Sequence, residues 1–183
     1  MAIPSIPVKL VRFTWKLSDV PADAARISKP FVMRPAGEPE LEEALRVIRS
    51  SYELDPEWSG CAKHIGEFVL PQVERAFADE ATCLFVQHGN RVIAASAYLP
   101  EPGEHGVHLV SGPCVLIEYR NRGIGAALLA GTLEALRARG LTEAVGQTRP
   151  NSPSAKYLFR KFGGQPAAAP PFHLASAETA VAA

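Results

Sequence analysis

Cysteine is scarce in this chain: there are three in 183 residues, Cys61, Cys83 and Cys114, an odd and widely spaced set. Such a set cannot form a disulfide framework. Cys61 and His64 have a ligand-like spacing, yet no second pair accompanies them, so no metal site is expected. Excess charge of either sign is also missing, with 19 Lys and Arg against 19 Asp and Glu. That balance argues against nucleic acid as a partner. No apolar run reaches membrane-crossing length, and the opening MAIPSIPVKLVRFTW has neither a continuous apolar stretch nor a small-residue cleavage site. The expected setting is therefore cytoplasmic, away from membranes.

What is present is ordinary globular material, with 47% hydrophobic and 21% charged residues, enough for one domain with a sizeable core. Val11, Phe13, Trp15 and Leu17 alternate with polar residues, the period of a half-buried strand. FVMRP is a second strand candidate, and Leu41, Leu45, Ile48 and Tyr52 recur at helical spacing. CAKHIGEFVLPQVERAFAD carries another helical stripe that Pro71 is expected to break or restart. TCLFVQHGNRVIAASAYL reads as a hairpin turning at Gly89-Asn90, and VHLVSGPCVLI as a long strand interrupted at Gly112-Pro113. GIGAALLAGTLEALRARG is a helix stopped by Gly140, TEAVGQTR a strand, and SPSAKYLFRKFGG a helix ending at Gly163-Gly164. Phe172 to Ala175 are a candidate last strand.

Helices, then antiparallel strands, then alternating strands and helices suggest an α+β fold on a mixed, twisted sheet flanked by helices. The expected organisation is an N-terminal extension over 1–30 with an extra strand, a main domain over 31–175 and a flexible tail over 176–183. The extra strand, if unpaired, would be a dimer edge or a cover over the substrate site.

The junction EYRNRGIG at 118–125 carries most of the chemistry. A helix starting there presents unsatisfied amides and the positive end of its dipole, and Gly123 and Gly125 let a ligand approach the backbone. Arg120 and Arg122 add positive charge, so the turn suits a pyrophosphate. A dinucleotide fingerprint would need a small residue at Leu128, and a Walker A loop would need Gly-Lys-Ser/Thr. The plain alternative is a tight strand-to-helix turn with solvated arginines.

RNRGIG at 120–125 fits the Gln/Arg-x-x-Gly-x-Gly/Ala signature, and NSPSAKYLFRKFGG resembles an Asn-led helix that closes on glycine. On these residues the chain, from about Phe31 to Gly164, resembles the GCN5-related N-acetyltransferase (GNAT) superfamily. The resemblance implies a GNAT-like fold and an acetyl-CoA-dependent N-acetyltransferase acting on a small-molecule or peptide amine. It also implies that Val115 and Ile117 offer backbone groups to the pantetheine arm. Backbone amides from Arg120 through Asn121, Arg122, Gly123, Ile124, Gly125 and Ala126 would hold the pyrophosphate, and Asn151 and Ser154 would touch the cofactor from the far side.

Departures from the pattern bear on catalysis. The position from which the family often protonates the thiolate is Phe159, which has no proton to give, so Tyr157 can substitute only if the helix register shifts. The interval from Asn151 to Gly163 is one residue longer than usual, Gly164 replaces the usual aromatic partner, and Ile117 stands where proline is common. The positions for a base on the strand before the signature, Leu109 and Ser111, hold none; His108 is the nearest titratable group, facing the opposite side unless Gly112-Pro113 resets the phase. Cys114 is either a nucleophile or a small buried hydrophobe. Without acid and base, the chain would be a weak or inactive acetyl-CoA-binding sensor.

Overall fold

The computed structural model describes residues 7–103 and 105–170. Among the described residues, seven strands form two sheets, ordered β2-β3-β4-β5 and β6-β1-β7. The first sheet contains β2 (Phe31–Pro35), β3 (Cys83–His88), β4 (Arg91–Ala97) and β5 (Cys114–Val115). The second contains β6 (Glu143–Thr148), β1 (Val11–Lys16) and β7 (Gln165–Ala168). The β3-β4 hairpin turns at Gly89-Asn90, with Gly89 at φ 59°, as its sequence leads one to expect.

Helix α1 (Leu41–Glu53) and helix α3 (Leu70–Ala76) bury Val47, Ile48, Val73 and Ala76 against Phe85 and Ala95. Helix α4 (Ile124–Ala138) covers the other face, where Ile124 and Leu128 meet Val86, Ile93 and Ala94. A third cluster joins Leu129, Leu133 and Leu136 of α4 to Phe13, Trp15 and Phe159. The signature turn therefore starts a helix fixed along its length to both sheets.

Two expectations change. The strand expected near the N-terminus is present and is paired on both edges: β1 runs antiparallel to β6 on one side and β7 on the other. Its alternation puts Phe13 and Trp15 in the core at 1% and 0% exposure, so it presents no free dimer edge and no cover. The long strand before the signature shrinks to β5 and an isolated residue, Leu109, because Gly112 at φ 62° turns the chain between them. Of the two readings of Pro71, the restart is the one seen: a π turn, Ile65–Val69, joins α2 (Ala62–His64) to α3, and Pro71 stands in the first turn of α3, where its missing N–H is harmless. The strand expected at Phe172–Ala175 and the tail beyond it lie outside the described residues.

The two sheets meet at Leu109, which bridges antiparallel to Tyr98 and parallel to Gly146. Past that point they separate: β5 stays with β4, while Gln147 and Thr148 stay with β1. The split leaves a wedge between β5 and the end of β6.

Candidate functional site

A cavity of about 430 Å³ occupies this wedge. Its walls are the end of α1 with Asp55 and Trp58, the Ser111–Val115 kink, the start of α4, and the segment from Ser152 to Lys161. A larger groove of about 690 Å³ lies along residues 7–11 and 166–170, with Lys9 the one titratable group among the described residues that line it. The wedge is where the chemistry converges.

Strand geometry decides what β5 offers. The Leu116 N–H donates to Ile93 O at 3.0 Å, and Val115 stands opposite Ala94. Antiparallel pairing alternates, so the N–H and C=O of Val115 face away from β4, into the wedge. Its carbonyl accepts from Arg120 Nε at 3.1 Å, while the N–H points at the cavity.

The signature turn closes one end. Asn121 has φ 62° and Gly123 φ 76°, and Gly123 caps α4 without a side-chain hydrogen bond. The first amides of α4 are thus left to whatever enters the wedge. Gly125 faces both walls; a Cβ there would sit 3.8 Å from Val115 Cγ2 and 3.8 Å from Leu158 Cδ2. A methyl group there would touch both walls without displacing either.

Of the residues singled out from sequence, Val115, Arg120, Asn121, Ile124, Gly125, Ala126, Ser154 and Tyr157 line the cavity. Ile117, Arg122, Gly123 and Asn151 do not, and all four are exposed. The Arg120 side chain turns inward, donating to Val115 O at 3.1 Å and Ser51 O at 3.0 Å and pairing with Asp55 at 3.4 Å. It ties the turn to α1 instead of extending over the amides. Arg122 lies over the Tyr119 ring, 5.5 Å from its centroid.

His108 is not brought to the cavity. Its Nδ1 accepts the Val145 N–H at 3.1 Å, which commits that lone pair to β6, and burial lowers its pKa. The turn at Gly112, between His108 and β5, does not bring the imidazole into the cavity wall. Cys114 is buried and its thiol is pushed up to about 12, first by desolvation, so it is a neutral hydrophobe and no nucleophile. Tyr52 donates to Ser111 O at 2.7 Å, and burial holds its phenol well above the ordinary value.

The register question at Tyr157 has a structural answer. A π turn, Ser154–Leu158, precedes the short helix α5 (Phe159–Lys161) and absorbs the extra residue noted between Asn151 and Gly163. Phe159 is then buried edge-on against Phe13 and Trp15, at 5.2 and 5.0 Å between centroids. Tyr157 is 73% exposed and lines the cavity. The cap of this segment is Ser152, which sequence reading passed over: its Oγ accepts from Ala155 N at 3.1 Å, donates to Arg149 O at 2.9 Å and lies 3.0 Å from Thr148 Oγ1.

A model of the acetyltransferase (GNAT) family matches residues 43–163, from the start of α1 to the end of α5 and across every wall of the wedge. The chain belongs to the GNAT family. Its members are acetyltransferases that generally use acetyl-CoA. Among solved structures, a Drosophila protein is 16% identical, with 89% of this chain and 49% of that chain covered and a TM-score of 0.62. The GCN5-related N-acetyltransferase from Sphaerobacter thermophilus is 19% identical, covering 89% and 50%, with a TM-score of 0.59. That from Ralstonia eutropha JMP134 is 19% identical, covering 80% and 99%, with a TM-score of 0.56. These likenesses establish the GNAT fold, and the chain spans about half the length of the first two structures. No curated protein matches it. Among the described residues no helix is long and apolar enough to cross a membrane.

Proposed function

We propose that the protein moves an acetyl group from acetyl-CoA to a primary amine by direct attack of the amine on the thioester. The observation that carries this reading is the wedge itself: Val115 N–H faces it from one wall, and the uncapped amides of α4 close one end. Acetyl-CoA needs those two features together, a slot with a free strand edge for the pantetheine amides and an anion site for the pyrophosphate. The residues present fit it. The amides from Asn121 to Ala126 would take the pyrophosphate, with Ser154 on the facing wall, and Val115 would hold the pantetheine and polarise the thioester carbonyl.

The side chains support direct transfer over a covalent relay. Cys114, the one cysteine in the cavity wall, is a neutral thiol. Tyr157 is the phenol available to protonate the departing sulfur, in place of Phe159. Calorimetric titration with acetyl-CoA, followed by thiol release across a panel of amines, tests the reading. Saturable binding with amine-dependent thiol release is the expected result. Binding without release from any amine would leave a CoA-binding sensor, and no binding would remove the reading altogether.

A further inference from the structure

The signature turn reaches across the cavity through Arg120, and the group it meets is Asp55. Among the described residues that line the cavity, Asp55 carries the one carboxylate. Of the other titratable lining groups, Tyr52 and Cys114 are buried in neutral form, Tyr119 has its hydroxyl 3.2 Å from His88 Nδ1, Lys161 Nζ lies over the Phe162 ring, and Tyr157 is the donor assigned above to the sulfur; His108 lies outside the cavity. The carboxylate is held from two sides: Oδ1 accepts from Glu57 N at 3.0 Å and Oδ2 faces Arg120 at 3.4 Å. A carboxylate has about four acceptor positions, so acceptor capacity remains toward the cavity. The same guanidinium bonds Val115 O. Asp55 therefore lies within the span of one guanidinium from the residue whose N–H faces the wedge, and its lining neighbours Tyr52 and Trp58 are aromatic.

We propose that Asp55 receives the ammonium of the acceptor and serves as the base of the transfer, which makes the substrate a primary alkylammonium on a short apolar or aromatic body. This rests on the acetyl-transfer reading above. An alkylammonium, with a pKa of about 10, is charged at neutral pH and is drawn to the cavity's carboxylate. It loses a first proton to solvent by way of Asp55, and the freed lone pair attacks the thioester carbonyl carbon. As the C–N bond forms, the nitrogen becomes a stronger acid and gives its second proton to Asp55. The C–S bond breaks with its electron pair on sulfur, which is protonated from Tyr157; water then carries the proton held on Asp55 back to Tyr157, so both groups are restored. The products are the N-acetylated amine, free thiol and one proton released to solvent.

The test uses benzylamine as probe with the wild type and Asp55→Asn, which keeps an acceptor for the Glu57 N–H while removing the charge. Asp55→Ser, also a capping residue, serves as a second variant should the first fold poorly. Benzylamine is titrated into protein saturated with CoA, and its turnover with acetyl-CoA is then followed. The expected result is CoA affinity equal in all three proteins, benzylamine binding at least tenfold weaker in the variants, and kcat/KM for benzylamine lower by roughly 100-fold. Hydroxylamine, mostly uncharged at neutral pH, needs only the second proton transfer to Asp55 and should lose less than benzylamine. Unchanged benzylamine binding and turnover in Asp55→Asn, parallel loss of CoA affinity, or no binding of benzylamine at millimolar concentration to the wild-type CoA complex would each overturn the proposal. Failure of the wild type to bind CoA would instead overturn the acetyl-transfer reading beneath it.

Discussion

At Gly164 a Cβ would stand 2.6 Å from Phe159 O and 2.9 Å from Trp15 Nε1, so the position admits no side chain. The aromatic residue expected there is replaced in space by Trp15, whose Nε1 donates to Phe159 O at 3.1 Å. Gly164→Ala should therefore cost about 1–3 kcal/mol in urea unfolding, because the nearest atoms are backbone and a buried ring that cannot move aside. Gly123→Ala should cost about 1–2 kcal/mol for a different reason: space around it is open, and the penalty is the left-handed backbone alone. Equal stability of either variant and the wild type would contradict the corresponding cause. Tyr157→Phe should keep acetyl-CoA affinity and lower kcat by roughly 100-fold, since the ring that lines the cavity remains and only the proton donor is lost. The glycines and arginines of RNRGIG were legible as a string because the motif is contiguous. Asp55 and Ser152 were not, for their roles come from meeting Arg120 and Thr148 across the fold.

Elements were legible where a side-chain period reports them and illegible where backbone register decides. The stripes of α1 and α4 and the alternation of β1 are written in which residues are apolar. The two π turns are not, because widening a turn changes which carbonyl each N–H finds while leaving the apolar stripe nearly intact. The first of these turns follows His64, which is 2% exposed and whose pKa is lowered to about 4, first by burial and then by the charges of Arg149 and His105. Above about pH 6.5 the imidazole is neutral in both folded and unfolded chains, and its contribution to stability is complete. As pH falls from about 6.5 to about 4 the unfolded chain binds a proton that the folded chain refuses, so stability declines, by up to about 1.4 kcal/mol per pH unit. His108, shifted in the same direction, adds to the slope. Glu40, held down to about 2 first by its hydrogen bond from Arg34, acts below its ordinary value of 4.5 and so in a separate window. Urea unfolding at pH 7, 5.5 and 4.5 should show this decline in the wild type and a flatter profile in His64→Leu. An unchanged slope in that variant would mean that other groups carry the pH dependence.

The whole molecule is two sheets joined at Leu109 and braced by a strand from the N-terminal end of the chain. That β1 lies between β6 and β7 could not be read from order along the chain, because the pairing joins residues more than 120 positions apart. The wedge exists because the sheets separate while α4 holds the first of them and the Trp15–Phe159 packing holds the second. A ligand that fills the wedge touches both, and should stabilise the native state as a unit. Acetyl-CoA at about 100 times its dissociation constant should add roughly 2.7 kcal/mol, a rise in Tm of about 5–10 °C for a chain of this size. Gly125→Glu should remove that rise while keeping the unliganded Tm within a few degrees, because a Cβ is accommodated at 3.8 Å from each wall and the added carboxylate projects where the pyrophosphate would lie. A rise that persists in this variant would place the ligand elsewhere, with the groove along residues 7–11 and 166–170 as the next site to probe. Loss of the rise together with a collapse of the unliganded Tm would show that the glycine serves packing, and Gly125→Ala would then separate the two roles, since a methyl group fits between Val115 and Leu158 without bringing charge into the slot.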